Sequence, residues 1–248
     1  MTIRHAMLLA AGLGTRMRPL TDTTAKPLVP LAGRTLLDHA LDRLFEAGVE
    51  HVVVNAHWKG DLVAAHIAAR HDPRIVVRAE ETLLDTGGAI VAALKDGLLD
   101  QAEPFYVVNG DAFWLNGPIP MLDRLAEAWT QWGGADAMDA LLLVHRTFQI
   151  SAEVGAGDFV LDPLGHVRRR KEMEIVPYLF AGVQLASARL FADAPQGPFS
   201  TNLLWDRAIE AERLRAMVHD GLWFHLSTPE DLDVAEQKLY AAETGETR

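Results

Sequence analysis

The chain contains the stretch Leu8-Leu9-Ala10-Ala11-Gly12-Leu13-Gly14-Thr15-Arg16-Met17-Arg18-Pro19-Leu20, and Lys26-Pro27-Leu28 follows closely. An apolar strand here runs into a loop that carries two glycines and three cations, namely Gly12, Gly14, Arg16, Arg18 and Lys26. Glycine lets a backbone turn through positive φ, so that its N–H groups approach phosphate oxygens. The stretch therefore predicts an α/β protein whose first strand ends in a loop for a nucleoside triphosphate, with the cations as counter-charge.

Spacing excludes two other phosphate-binding loops. A dinucleotide-binding loop that starts at Gly12 needs a third glycine at position 17, where this chain has Met17. A Walker A loop needs Gly-Lys and then Ser or Thr after four spacer residues, and the sequence has no such run. A strand-to-helix turn with incidental surface arginines remains the alternative interpretation.

The composition indicates one compact domain. The 248 residues are 49% hydrophobic, which is enough for a single large α/β core. Cysteine is absent from the sequence, which excludes disulfides and thiolate metal sites. The formal net charge is −11, whereas proteins that bind nucleic acids typically carry an excess of basic residues. Without an apolar run typical of a signal peptide or membrane span, we expect a cytoplasmic protein with no membrane partner.

Strand and helix patterns alternate along the chain, which predicts a mostly parallel, Rossmann-like sheet flanked by helices. Strands are expected at residues 5–10, 52–54, 75–77, 105–108 and 177–185. Helices are expected at residues 35–47, 59–70, 87–99 and near residues 201 and 229, with a hairpin turn at 162–165. Ligands of open parallel sheets bind beyond the carboxyl ends of the strands. The glycine loop, Asn55, Glu80 and Asp111 all follow strands at that edge.

From about residue 5 to about residue 240 the chain resembles the sugar-1-phosphate nucleotidyltransferases, and most of all their bacterial N-acetylmuramate α-1-phosphate uridylyltransferases of cell-wall recycling. The resemblance implies one nucleotide-diphospho-sugar transferase (GT-A-like) domain, with a nucleotide-binding half at about 1–115 and a sugar-phosphate-binding half at about 116–240. It implies a reaction of UTP with a sugar 1-phosphate that gives a UDP-sugar and pyrophosphate. The expected oligomeric state is a monomer or a homodimer.

Catalytic roles transfer to three residues of this sequence. By resemblance, Arg16 would hold the β- and γ-phosphates, and Lys26 the α-phosphate or the sugar phosphate. Asp111, in Asn109-Gly110-Asp111, matches the family's Mg²⁺-binding aspartate, although the same tripeptide is also an ordinary turn. The residues expected to bind the nucleotide are Ala11, Gly12, Gly14, Thr15, Arg16, Glu80, Asp85, Gly88 and Asn109.

The second metal ligand departs from the family pattern. Relatives carry an aspartate where this chain has His225, in Trp223-Phe224-His225-Leu226-Ser227. Imidazole suits softer divalent ions better than Mg²⁺. Either His225 assists a metal held by Asp111 and phosphates, or Mn²⁺ or Co²⁺ is tolerated beside Mg²⁺, or activity is weak. A strand histidine with a local hydrogen bond is the alternative.

Base recognition is expected in residues 80–88, which resemble the family's Leu-Gly-Thr-Ala-Gly turn. A carboxylate such as Glu80 would accept the N3–H of uracil, while Gly87 and Gly88 would let the backbone approach the base. This donor pattern favours uracil or thymine over cytosine and leaves guanine open.

The sugar half contains Tyr178-Leu179-Phe180-Ala181-Gly182-Val183, which resembles the family's sugar-binding strand. Spacing back from Gly182 places the family's sugar-phosphate lysine at Arg170 or Lys171, although such a basic run is often a solvated strand face. The expected sugar-binding residues are Asp158, Lys171, Gly182 and Asn202. Two other functions stay open: a mannose- or heptose-1-phosphate guanylyltransferase, and a weakly catalytic regulatory protein that binds nucleotide sugars.

Overall fold

The computed structural model describes residues 1–150 and 155–244. Its strands are β1 (His5–Leu9), β2 (Pro30–Leu31), β3 (Arg34–Thr35), β4 (His51–Ala56), β5 (Ile75–Ala79), β6 (Phe105–Asn109), β7 (Phe113–Leu115), β8 (Ala140–Arg146), β9 (Phe159–Leu161), β10 (Val167–Arg169), β11 (Tyr178–Ala186), β12 (Leu214–Val218) and β13 (Leu222–Phe224). Its α-helices are α1 (Leu20–Thr23), α2 (Leu36–Glu46), α3 (Gly60–Arg70), α4 (Asp85–Lys95), α5 (Met121–Gln131), α6 (Gly134–Ala137), α7 (Asn202–Glu210) and α8 (Pro229–Thr244). None of the helices in these described ranges is long and apolar enough to span a membrane.

The main sheet confirms the predicted α/β class. Strands β5, β4, β1 and β6 lie side by side in that order and pair in parallel. Strand β11 then joins antiparallel to β6, and β8 pairs with β11 on one side and in parallel with β12 on the other. The chain thus adds strands of its second half to the edge of a parallel sheet formed by its first half.

Two hydrophobic cores lie on opposite faces of this sheet, because successive residues of a strand point to opposite faces. Ala6 and Leu8 of β1 pack in the core that contains residues of α2, α3 and α5. Met7 of the same strand packs with residues of α4 and α7. All three β1 side chains have 0% exposure, so the strand is fixed between the two layers.

The carboxyl edge of β1 is the topological switch point of the sheet. After β1 the chain crosses to β4 on one side, whereas β6 pairs on the other side. Leu9 aligns with Asn55 of β4 and with Asn109 of β6, so the three strand ends meet. A crevice opens at such a point, and it holds the ligands of open α/β sheets.

A small second sheet closes the other side of this edge. Strand β7 begins just after Asp111 and pairs antiparallel with β13, where Phe113 aligns with Phe224. Since His225 is the next residue after Phe224, this register places it opposite Ala112 and near Asp111. The pairing joins two segments that are more than a hundred residues apart in the sequence.

Local signals explain several element ends. Thr35 caps α2, since its Oγ1 accepts a hydrogen bond from the Asp38 N–H at 3.1 Å. The predicted hairpin turn joins β9 to β10, and there Asp162 Oδ1 accepts from the Leu164 N–H at 2.9 Å. Helix α4 begins at Asp85, two residues earlier than expected, and Asp85 has a φ of +57°.

Candidate active site

The glycine loop has the predicted position, but its two glycines serve different purposes. Gly14 has a φ of +62°, and a Cβ there would lie 2.9 Å from Thr21 Cγ2. Thr21 Oγ1 donates to the Gly14 carbonyl at 2.8 Å and fixes the turn. Gly12 does not have positive φ, contrary to the prediction, and a Cβ there would meet nothing within 4 Å. The open space over Gly12 is where a ligand has access to the backbone.

Lys26 and Asp111 form an ion pair at the centre of the site. Lys26 Nζ donates to Asp111 Oδ2 at 2.5 Å. The Lys26 side chain is only 12% exposed, whereas that of Asp111 is 37% exposed. Both residues follow the switch-point strands, Lys26 through the loop after β1 and Asp111 directly after β6. The pair therefore presents a fixed cation and an accessible carboxylate oxygen to the same crevice.

Two cavities border this pair, and a third cavity lies beside them. The loop cavity, about 420 Å³, is lined by Ala11, Gly12, Gly14, Lys26, Asn55, Leu83, Asp85, Thr86, Asn109 and Asp111 among others. The central cavity, about 230 Å³, is lined by Arg16, Asn109, Asp111, Asp158, Gly182, Trp223, His225 and Ser227 among others. The helix cavity, about 270 Å³, is lined by Thr86, Asn109, Asp158, Arg169, Phe180, Gln184, Thr201, Asn202 and Trp205 among others. Asn109 lines all three, so the cavities share the end of β6.

A larger cavity of about 720 Å³ adjoins the central cavity and shares the lining residues Trp223, Phe224 and His225 with it. It is lined by His145, His219 and residues of α8, and it contains none of the glycine-loop residues. His225 is the one predicted site residue that lines it. The volume of a cavity is therefore not a guide to the candidate site. Most of the predicted site residues line the three smaller cavities instead.

Glu80 is not a free acceptor in the structure, although the prediction gave it a hydrogen bond to the base. The residue is 7% exposed, and both carboxylate oxygens are used inside the protein. Oε1 accepts from Asn55 Nδ2 at 2.8 Å, and Oε2 accepts from the Leu84 N–H at 3.1 Å. Asn55 in turn accepts from the Ala10 N–H at 2.8 Å. Glu80 thus connects β4 to the loop before α4 and shapes the cavity from below.

Replacing Glu80 by alanine should therefore lower stability rather than alter base preference. The change leaves the Asn55 amide and the Leu84 N–H without their partner, which costs about 1–3 kcal/mol. Urea unfolding measures the loss, and the ratio of UTP to CTP turnover measures base preference. Glu81→Ala, at the exposed neighbouring position, is the matched control. A collapse of the UTP:CTP ratio with unchanged stability would contradict this role.

Gly87 and Gly88 also differ from the prediction that they approach a base. A Cβ on Gly87 would lie 2.3 Å from the Phe199 ring, and one on Gly88 would lie 2.5 Å from the Gly197 carbonyl oxygen. Both N–H groups donate to the Phe199 carbonyl, at 2.9 and 3.2 Å. Gly88 therefore makes room for the segment before α7, and its N–H is already used in a hydrogen bond to that segment. Asp85, by contrast, does line the loop cavity.

The two arginines of the loop differ in their ion-pair partners. Arg16 is exposed, lines the central cavity, and has no carboxylate partner among the described residues. Arg18 instead pairs with Asp22 at 3.2 Å and lines none of the three cavities, so the prediction that it supplies counter-charge is wrong. Thr15 starts the short turn that carries Arg16 and does not itself line these cavities.

His225 shares the central cavity with Asp111 and Arg16. Burial lowers the pKa of its imidazole, and the charges of Arg16 and Lys26 act in the same direction, while Asp231 and Asp111 oppose them. The neutral imidazole is therefore favoured at pH 7. A metal-binding role for this residue stays a prediction.

The sugar-binding predictions are met in part. Asp158, Gly182 and Asn202 line the central or helix cavity. Lys171 does not: it lies exposed in the turn after β10, where its N–H donates to Glu174 Oε2. The basic side chain that does line the helix cavity is Arg169, the last residue of β10. Strand alternation could have identified it, since it points to the face opposite Arg168.

Comparisons with known proteins agree with this geometry. A family model described as MobA-like NTP transferase domain matches residues 6–151. N-acetylmuramate alpha-1-phosphate uridylyltransferase of Caulobacter vibrioides is 41% identical over 242 residues, covering 96% of this chain and 97% of the relative. The protein of the same name from Neisseria meningitidis serogroup B is 30% identical over 90% of this chain and 93% of the relative. Mannose-1-phosphate guanylyltransferase catalytic subunit beta of Danio rerio is 27% identical over 91% of this chain and 62% of the relative.

Solved structures share the fold at low sequence identity. A crystal structure of UDP-glucose pyrophosphorylase complexed with UDP-glucose matches with a TM-score of 0.78 and 15% identity, covering 97% of this chain and 99% of that chain. HddC from Yersinia pseudotuberculosis, complexed with GMP-PN, matches with a TM-score of 0.74 and 21% identity, covering 96% and 100%. At these identities the likeness is one of fold.

Proposed function

Because the chain belongs to the MobA-like NTP transferase family, we propose that it transfers the uridylyl group of UTP to N-acetylmuramic acid α-1-phosphate, giving the UDP-sugar and pyrophosphate. The observation that carries the proposal is the ion pair of Lys26 with Asp111 at the junction of two cavities, in a chain 41% identical to an enzyme of that name. On this proposal the enzyme works in the cytoplasm on the UTP available there, and its product would return a cell-wall sugar to peptidoglycan synthesis.

We assign the loop cavity to UTP and the helix cavity to the sugar. The loop cavity lies over the open backbone of Gly12, as a triphosphate requires. The helix cavity is lined from the second half of the chain by Asp158 and Asn202, which offer hydrogen bonds to hydroxyl groups. The central cavity between them would hold the phosphate groups that react. This division corresponds to nucleotide and sugar halves of about 1–115 and 116–240 within one domain.

The reaction is a direct displacement. A phosphate oxygen of the sugar 1-phosphate attacks the α-phosphorus of UTP, and the bond to the β-phosphate oxygen breaks, so that pyrophosphate leaves with that electron pair. The attacking oxygen is already anionic, and no general base is required. Lys26 and Arg16 neutralise the phosphates and hold them in line, which is the main source of catalysis in such a transfer.

The donor set of the site fits Mg²⁺. Asp111 Oδ2 accepts a hydrogen bond from Lys26 Nζ. The other carboxylate oxygen, Oδ1, has no hydrogen-bond partner among the described residues, and the side chain is 37% exposed. Mg²⁺ is commonly held by one or two carboxylates and completed by substrate phosphates and water. Asp111 would hold the ion, with His225 in the same cavity. When bound, the ion would withdraw charge from the phosphate oxygens.

The test is a matrix of UTP, GTP, CTP and dTTP against several sugar 1-phosphates, with Mg²⁺ present and pyrophosphate release as the readout. We expect UTP with N-acetylmuramic acid α-1-phosphate to give the highest kcat/KM. Preference for GTP with a mannose or heptose 1-phosphate would instead identify a guanylyltransferase. Tight nucleotide-sugar binding without turnover in any pair would identify a regulatory protein.

Replacing His225 by aspartate should lower the Mg²⁺ concentration for half-maximal rate by about threefold or more, because a second carboxylate suits Mg²⁺ better than imidazole does. The change introduces a charge between Arg16, Lys26 and Asp111, all of which influence this position. Initial rates are measured across Mg²⁺ and then Mn²⁺ titrations for the parent and the variant. An unchanged Mg²⁺ requirement would show that residue 225 is not a metal ligand.

A further inference from the structure

The helix cavity contains a guanidinium that the displacement reaction does not use. Arg169 Nε donates to Asp206 Oδ1 at 2.7 Å, and Nη2 donates to Asn202 Oδ1 at 2.8 Å. The guanidinium carbon also lies 4.9 Å from the ring centre of Phe159 and 5.7 Å from that of Trp205. With a further hydrogen bond from Nη2 to the Asn202 carbonyl at 3.3 Å, three hydrogen bonds and two aromatic rings fix its position before any ligand arrives.

One edge of this guanidinium is free. No hydrogen bond of Nη1 to any described residue is present, and the side chain remains 32% exposed. Arg169 lines the helix cavity together with Asp158, whose Oδ2 accepts from the Phe180 N–H at 2.8 Å. The cavity thus offers a carboxylate acceptor for hydroxyl groups and a rigid cationic donor. Although Nε of this guanidinium is paired with Asp206, its free Nη1 edge forms its strongest hydrogen bonds with an anionic oxygen.

A buried hydroxyl in the same cavity also lacks a partner. Thr201 is 3% exposed, lines the helix cavity, and its Oγ1 has no hydrogen bond among the described residues. Its N–H donates to Thr86 Oγ1, and its carbonyl accepts from the first turn of α7, so only the hydroxyl is unsatisfied. Buried hydroxyls without a partner are uncommon in native proteins, so this one calls for an explanation. Thr201 is the residue directly before α7, and the amino end of a helix favours anions.

On the basis of the proposed function, we propose that Arg169, supported by Thr201, binds a carboxylate on the sugar, so that the enzyme selects sugar 1-phosphates with an acidic substituent over their neutral counterparts. Arginine suits this task because its planar fork matches a carboxylate and its charge strengthens the hydrogen bond. N-acetylmuramic acid differs from N-acetylglucosamine by one lactyl ether, and the carboxylate of that ether is the group recognised. Lys171 and Arg170 have no part in this contact.

The test compares the α-1-phosphates of N-acetylmuramic acid and N-acetylglucosamine as substrates with UTP, and as ligands by calorimetry in the presence of a non-reacting UTP analogue. We expect the parent to favour the acidic sugar. Arg169→Gln should reduce the ratio of the two kcat/KM values, or of the two Kd values, by about 10- to 100-fold, the range of one lost hydrogen bond to a charged group. Thr201→Val should reduce the same ratio to a smaller extent.

Arg168→Gln is the matched control, because it removes the same charge one residue earlier, where Arg168 pairs with Glu174 outside the cavity. Its ratio should equal that of the parent. Both substrates are measured on the same preparation of each variant, so partial misfolding does not change the ratio. Arg169→Lys is a second variant that keeps the charge, and its ratio should fall less than that of Arg169→Gln. An Arg169→Gln variant that keeps the parent's ratio, or loses both substrates equally, overturns the inference while leaving the proposed function intact. A parent that converts neither sugar refutes the proposed function and the inference with it.

Discussion

Replacing Asp111 by asparagine lowers turnover by at least about 10³-fold in our expectation, because the site loses the carboxylate that would hold Mg²⁺ against the phosphates. The change keeps the shape of the side chain, so the turn after β6 remains in place. It also removes the ion-pair partner of Lys26, whose side chain is only 12% exposed. The rate is measured as pyrophosphate release across a wide range of Mg²⁺ concentrations, with circular dichroism to verify the fold.

A second measurement separates metal loss from general damage to the site. Without Mg²⁺, the Asp111 carboxylate repels a triphosphate, so the asparagine variant should bind UTP at least as tightly as the parent does under metal-free conditions. Asp22→Asn, which removes a carboxylate paired with Arg18 outside the cavities, serves as the control. Turnover of the Asp111 variant within tenfold of the parent would contradict the assigned role.

Replacing Lys26 by methionine should lower kcat by about 10²- to 10³-fold, the scale of losing one preorganised charge contact in a transition state. Methionine has a side chain of similar length. Its Cβ would keep the present position, which is 3.0 Å from where a Cβ on Gly14 would lie. Steady-state kinetics should show the loss mainly in kcat, because the ammonium group acts on charge that is redistributed during the displacement.

The control for this variant is Arg18→Met, a cation of the same loop that is paired with Asp22 and lines none of the three cavities. Its kcat should remain within about twofold of the parent, since an exposed ion pair contributes little. Equal losses in the two variants would show that the net charge of the loop matters, and that Lys26 has no specific position in catalysis.

The predicted site residues whose positions in the fold agree with the prediction are those with a local signal. Gly14 combines a turn with positive φ, and Asp111 directly follows an apolar strand, so their places depend on the nearest part of the chain. The parallel order of β4, β1 and β6 likewise follows from alternating strand and helix patterns. The sequence pattern predicts the strand β11, but it contains no signal for the antiparallel pairing of this strand with β6, which is distant along the chain.

The incorrect predictions concern residues whose partners are distant in sequence. Glu80 looks like a free acceptor until Asn55 is placed beside it, and this pairing depends on the register of β4 and β5. Gly87 is explained by the Phe199 ring, over a hundred residues later. Strand β10 ends at Arg169, so Arg169 lies in the strand and lines the cavity, whereas the predicted Lys171 lies in the turn that follows. Sequence patterns determine strand ends poorly.

The contact of Gly87 and Gly88 with Phe199 limits how members of this family can be recombined. Consider a hybrid protein that takes its first 115 residues from one parent and the remainder from another. The junction lies between the two halves of the chain, yet the contact joins residues on both sides of it. The Phe199 carbonyl accepts from both glycine N–H groups, and its N–H donates to the Leu84 carbonyl. A hybrid designer must therefore take residues 84–88 and 197–199 from the same parent, even when base and sugar preferences are exchanged separately.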